Sequence, residues 1–223
     1  MVIVHHLENS RSQRVLWALE ALGVPYEVKR YERDPVTNLA PASLKKIHPL
    51  GKSPVLTDKG ANVTVAESGA IVEYLFQTYG KENAIPEIGS QAYRDYSYWM
   101  HFSEGSLMPQ LLLKIVFDKV TTSPMPFFVK PIAKGIAKKV MSGYVSPNIK
   151  VMLAFIDNHL NQREWFVGDC LTGADVQMIF PLEACVMGGV AAKYPNITAY
   201  VERIHALPEY QSALETGGPY DYA

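Results

Sequence analysis

The chain has 223 residues, 48% hydrophobic and 19% charged, with a formal net charge of −1. That length buries one large core or two small ones without staples, and the charge balance gives no global bias toward nucleic acid or acidic surfaces. Two cysteines, Cys170 and Cys185, are too few and too far apart for a disulfide framework or a zinc site, so a reducing cytoplasm fits and no metal is expected. The first four residues, Met1-Val2-Ile3-Val4, are followed at once by His5, His6 and Glu8, which is no signal peptide. Residues 178–192 form the longest apolar region, but Pro181, Glu183 and a glycine pair make it a poor membrane span. Neither nucleic acid nor a membrane is therefore an expected partner.

Val2-Ile3-Val4 reads as a strand ending in His5-His6, whose side chains point to opposite faces and cannot share one metal. From Arg14 the period becomes helical, with Val15, Ala18, Leu19 and Leu22 on one face and Gly23 closing the helix. Residues 9–12 are then a strand-to-helix loop, and 26–31 a second strand, which together make a βαβ unit. A short helix is expected over 41–47. Within 48–69, Val55-Leu56, the turn Asp58-Lys59-Gly60 and the alternation of Val63 and Val65 predict a hairpin. Glu67-Ser68-Gly69 follows and opens a helix through Ile71, Tyr74, Leu75 and Tyr79. Glu67 and Ser68 thus sit at a helix N-terminus, where free N–H groups and the positive dipole end suit a carboxylate. Pro54 removes one ladder donor and leaves the Ser53 backbone free to pair with something other than sheet. An edge proline beside an ordinary serine cap explains this stretch equally well.

Residues 80–89 are polar, with Pro86 and two glycines, and no clear strand follows them. They divide an α/β domain (1–80) from an all-helical domain (90–223), with 81–89 as linker. Helices are expected over 90–113, with Pro109 as a kink, and over 130–142. Ser146-Pro147 reads as a cap and first turn. Lys130, Lys134 and Lys138 form a solvated stripe, and the loop 121–131, with Met125, Phe127 and Phe128, is expected to pack over a core or line a pocket. Thr172 and Asp175 are spaced as a capping box, and Gly217-Gly218-Pro219 is expected to free the tail.

Taken together and in order, these motifs resemble the cytosolic glutathione transferases over nearly the whole chain. The resemblance implies a thioredoxin-like N-terminal domain (βαβαββα) and an all-α C-terminal domain. Ser53-Pro54 resembles that family's cis-proline turn, whose preceding residue pairs its backbone with the cysteinyl part of glutathione. Glu67-Ser68 resembles the pair that holds the γ-glutamyl end, and Lys52 falls where a polar contact to the peptide is often placed. Ser10, with Arg14 four residues on, resembles the catalytic serine of the serine-type classes, with Ser12 as the alternative. No tyrosine ends the first strand and no cysteine occupies 9–12, which argues against the tyrosine-type and thiol-transferring members. The opening His5-His6-Leu7-Glu8-Asn9-Ser10-Arg11 is similar to fungal and bacterial members outside the best-known classes.

Such an enzyme must present the thiolate near neutral pH although a free thiol has a pKa of about 8.5. Lowering it by two units takes about 2.7 kcal/mol. A hydroxyl hydrogen bond to a charged acceptor contributes about 1.5–3 kcal/mol and a helix N-terminus about 0.3–1. Ser10 can serve in that way or as a simple helix cap. The electrophile pocket implied between the domains would draw on Arg11, Tyr98, His101 and Phe102, with His101 and Glu104 also candidates for contact near a partner subunit. The resemblance further implies a cytoplasmic homodimer acting in detoxification on small hydrophobic electrophiles or hydroperoxides. A non-catalytic scaffold, or an isomerase or dehalogenase using glutathione, are the alternatives.

Overall fold

The computed structural model describes residues 1–81 and 84–223; positions 82 and 83 of the expected linker lie outside the described residues. β1 (Val2–Leu7) runs parallel to β2 (Tyr26–Tyr31) and antiparallel to β3 (Val55–Asp58), which pairs antiparallel with β4 (Val63–Ala66). The order β2-β1-β3-β4 places β1 inside the sheet. Its apolar run with no strict alternation suits that position, because both of its faces are covered and His5 and His6 are each buried. A short 3-10 turn (Ala42–Lys46) precedes β3. Asp58 fixes the β3–β4 turn, accepting hydrogen bonds from the Gly60 amide at 2.9 Å and from the Tyr74 and Tyr79 hydroxyls of α2 (Ser68–Tyr79).

α1 (Ser12–Leu22) ends at Gly23, whose φ of +65° a side chain would oppose. Residues 12–19 of α1 are all buried, polar ones included, because β1 covers one side while α7 (Gly173–Met187) and α9 (Pro208–Gly217) cover the other. Gly217 permits the close approach of α9: a Cβ there would lie 2.6 Å from Gln13 Oε1. Trp17 packs edge-on against Tyr210, ring centroids 5.5 Å apart, and Arg30 of β2 donates to the carbonyls of Thr216 and Gly217 at 2.6 and 2.7 Å.

The tail is therefore not freed by its glycines. After the turn at Gly218, Tyr220 donates to Glu183 at 2.5 Å and Tyr222 packs on Phe180. Asp221 and Asn9 exchange two hydrogen bonds of 2.8 and 2.9 Å, which pins the C-terminus to the β1–α1 loop. Glycine loosens a backbone locally, but the aromatic and polar residues beyond it find buried partners.

A second difference lies in helix length. α3 (Gln91–Phe102), capped by Ser90, continues through a π-turn (Ser103–Leu107) into α4 (Met108–Thr122), beyond the expected end at 113. α5 (Lys130–Val140) likewise passes through a π-turn (Met141–Val145) into α6 (Ser146–Leu160), so Ser146 is helical rather than a cap. Each π-turn comes immediately before a Ser/Met-Pro pair. Proline has no N–H to donate and its ring crowds the carbonyl four residues back, and a widened turn removes that conflict without ending the helix. α8 (Pro195–His205) completes the helical half.

Asp175, fully buried at the start of α7, accepts from the amides of Phe166 and Thr172 and from the hydroxyls of Thr172 and Tyr200, all within 3.0 Å. Thr172→Ala removes one of these four donors and is expected to lower stability by about 1 kcal/mol, read from urea denaturation.

Candidate active site

Two chain segments far apart in sequence meet where α1 begins. Arg14, wholly buried, donates to Glu104 Oε1 at 2.5 Å, to Ser68 Oγ at 3.1 Å and to Ser103 Oγ at 3.0 Å. Ser103 in turn donates to the Gln177 carbonyl at 2.7 Å. Arg11 donates through Nε to both oxygens of Glu104 at 3.0 Å, and both guanidinium groups lie against the Phe180 ring, 5.1 to 5.4 Å from its centroid. Burial pushes the Glu104 carboxyl up, but the charges of Arg14 and Arg11 outweigh this and leave it below its ordinary value. The π-turn contributes directly here, since Ser103 and Glu104 are its first two residues.

The β1–α1 loop carries a chain of hydroxyls. Ser10 Oγ donates to the Leu7 carbonyl at 2.7 Å, lies 2.8 Å from Ser12 Oγ and accepts from the Ser12 amide at 3.2 Å. Ser12 Oγ is 2.9 Å from His6 Nδ1 and 3.0 Å from the Leu7 carbonyl. Burial, reinforced by Arg30, holds His6 down at a pKa of about 4, so its ring is neutral at pH 7. Below pH 6.5 the unfolded chain takes up a proton that folded His6 refuses, so stability falls as pH falls from 6.5 toward 4. Roughly 2 kcal/mol is expected to disappear between pH 7 and pH 5 on this account. Urea denaturation of the wild type and of His6→Asn at the two pH values checks it: the wild type should lose about 2 kcal/mol more than the variant, since Asp175, pushed up to about 6 by burial, and the other histidines titrate alike in both.

The β3–β1 ladder ends at the Val55–His5 pair, so Ser53 lies beyond it, joined to Pro54 by a cis peptide bond and anchored by its hydroxyl to the His5 carbonyl at 2.9 Å. Glu67 adopts φ +74° and ψ +125°, a conformation that costs a residue with a side chain about 1–3 kcal/mol, just before α2 begins at Ser68. Between these elements lies a cleft of about 240 Å³ lined mainly by polar groups, among them Arg11, Lys52, Ser53, Glu67, Ser68 and Glu104. A second cavity of about 410 Å³ shares Glu67, Ser68 and Glu104 with it and extends to His101 and Gln177. Cations, a carboxylate, a free backbone beyond a ladder and a helix N-terminus are the groups that a short peptide with two carboxylates and an ammonium requires.

A model of the N-terminal domain of glutathione S-transferases matches residues 1–77, and one of their C-terminal domain matches 117–208. Glutathione S-transferase 3 of Schizosaccharomyces pombe is 40% identical over 216 residues, covering 96% of this chain and 87% of its own length. The chain belongs to the glutathione S-transferase family. Glutathione S-transferase 1 of Saccharomyces cerevisiae is 33% identical, covering 96% of this chain and 94% of its own. A glutathione S-transferase from Actinobacillus pleuropneumoniae, solved by crystallography, has the same fold at TM-score 0.81 and 35% identity, covering 100% of this chain and 95% of that one. The cosubstrate of the family is glutathione.

In this glutathione S-transferase Lys52, Ser53, Pro54, Glu67 and Ser68 line one cleft together with Arg11. Ser10 is half-buried in the loop after β1 and Ser12 is inside the first turn of α1 and fully buried; neither lines the two cavities. His101 lines the adjoining cavity. Tyr98 and Phe102 line neither; they stack on each other, ring centroids 5.5 Å apart, and both meet Phe155 of α6. Glu104, read from the sequence as a contact toward a partner, sits in the chain's own cleft. The Arg14–Glu104–Ser68 cluster escaped sequence reading because its members are 54 and 90 positions apart. Its one local signal is an arginine on the face of α1 that otherwise holds only core residues.

Proposed function

We propose that the chain is a serine-type glutathione transferase that activates the glutathione thiolate for attack on small hydrophobic electrophiles or hydroperoxides. The observation that carries this reading is the Ser10 hydroxyl, which accepts from the Ser12 amide and donates to the Leu7 carbonyl at 2.7 Å; catalysis requires that proton to turn from Leu7 toward the thiolate. An amide donated to the oxygen polarises the O–H and makes it a better donor. Ser10 then holds the sulfur, the Ser53 backbone pairs with the cysteinyl part, Glu67 and Ser68 hold the γ-glutamyl end, and Lys52 contacts the peptide. Arg11 and His101, which border the two cavities, face the electrophile. Residues 1–80 form the glutathione-binding domain, 81–89 the linker and 90–223 the helical domain. The enzyme works as a cytoplasmic homodimer in detoxification.

Retention on immobilised glutathione and conjugation of an aryl halide test the reading, followed by a panel of epoxides and hydroperoxides. No measurable binding of glutathione would sink it. The inward hydrogen bond from Ser10 to Leu7 supports a second reading, a scaffold that binds glutathione without turning it over. Glutathione bound with no activity on any member of the panel, and with a thiol pKa insensitive to Ser10→Ala, would favour the scaffold.

A further inference from the structure

Among the described helices α5 is the most strongly amphipathic, yet of its residues only Ala137 is buried. An amphipathic helix ordinarily turns its apolar face to the core. Here Ile132 and Ile136 are 63% and 58% exposed, while Lys130, Lys134 and Lys138 occupy the opposite side. The loop joining α4 to α5 extends the apolar surface: Phe127 is 88% and Phe128 63% exposed, and both rings stand in a turn closed by the Val129 amide on the Pro126 carbonyl. The expectation that this loop covers a core or lines a pocket thus fails for both phenylalanines, whose turn holds them outward and away from the two cavities at Ser68.

Charge is segregated to the same place. Residues 119–156 contain six lysines and no aspartate or glutamate, in a chain whose net charge is −1. Four large apolar side chains at a hairpin tip, set among unopposed lysines, match an interfacial helix that rests on an anionic surface. We propose that the α4–α5 tip docks on a bilayer carrying anionic lipid, with Phe127, Phe128, Ile132 and Ile136 entering the headgroup region and the surrounding lysines drawn to the negative surface.

A second copy of the chain fits this face less well. A symmetric contact would set lysine-rich surfaces against each other. Lack of a spanning segment does not bear on the matter: among the described residues no helix is long and apolar enough to cross a membrane, but an interfacial helix does not cross one. The expectation of no membrane partner considered spans alone. This docking is independent of the catalytic reading.

The test is co-sedimentation of the full chain with phosphatidylcholine vesicles, with and without phosphatidylserine, at physiological salt. Two variants accompany it: Lys130, Lys134, Lys138 and Lys139 all changed to Glu, and Phe127→Ser combined with Phe128→Ser. The wild-type chain is expected to bind the serine-lipid vesicles and not the neutral ones. The four-lysine variant should lose roughly a hundredfold or more in partitioning, since each lysine near the surface contributes about fivefold, with its conjugating activity on a soluble substrate unchanged. The phenylalanine pair should lose binding as well. Equal binding to both vesicle types, no binding to either, or wild-type binding by the four-lysine variant would overturn the proposal. So would a dimer in sedimentation equilibrium that the phenylalanine variant dissociates, because the face would then be a contact between copies.

Discussion

Glu104→Ala is expected to destabilise the protein by about 3 kcal/mol, the low end of the range for breaking a pair that includes a buried charge. Arg14 is fully buried and would keep its charge with only the hydroxyls of Ser68 and Ser103 beside it. The low end applies because the Glu104 side chain is 34% exposed, so water already screens part of the pair. Glu104→Gln, which preserves one acceptor, should lose less. Replacing Arg14 by Met together with Glu104 by Leu should recover much of the stability, since an apolar pair of similar volume removes the desolvation penalty along with the attraction. Urea denaturation of the four proteins measures this. Because the Glu104 carboxyl is held below its ordinary value, its contribution is present above that value and disappears as pH falls through the folded-state value. The same substitution frees Arg11, which leaves the cleft with an unpaired guanidinium and should weaken the positioning of Ser68.

Ser10→Ala carries the other large effect. If its hydroxyl supplies most of the roughly 2.7 kcal/mol needed to lower the thiol pKa by two units from about 8.5, the thiolate fraction at pH 7, and with it kcat/KM, should fall about 25-fold. The KM for glutathione should change little, since on the proposed function Ser53, Glu67 and Ser68 hold the rest of the peptide. Ser12→Ala separates the candidates. Ser12 is buried with His6 and Leu7 as partners, so its loss should lower stability by about 1 kcal/mol and reduce activity less than the loss of Ser10.

Much of the fold was legible because its elements announce themselves locally. The strand from Tyr26 to Tyr31, the hairpin of β3 and β4 and the helix that opens at Ser68 follow from alternation, a turn and a change of period, all within about ten residues. Residues 52–68 could be gathered into one site for the same reason: a proline before a strand and a helix N-terminus after it are short-range features. The missed features all depend on distant contacts. Nothing near Gly217 indicates that Asn9 will meet Asp221, and a serine-proline pair at 146–147 looks like a helix start unless the preceding helix is known to run into it. The composition of the loop with Phe127 and Phe128 suggests packing over a core or lining of a pocket, but composition does not show that a proline-closed turn holds both rings outward.

On the proposed function, the hairpin of residues 48–69 selects the thiol that is held and Ser10 sets whether that thiol is ionised. Titration of the ultraviolet absorbance of the thiolate in bound glutathione tests that division most directly, in the wild-type protein and in Ser10→Ala and Ser12→Ala. A pKa about two units below that of free glutathione in the wild type and in Ser12→Ala, returning to the free value in Ser10→Ala, is the predicted result. The same lowered pKa in Ser10→Ala as in the wild type would contradict it.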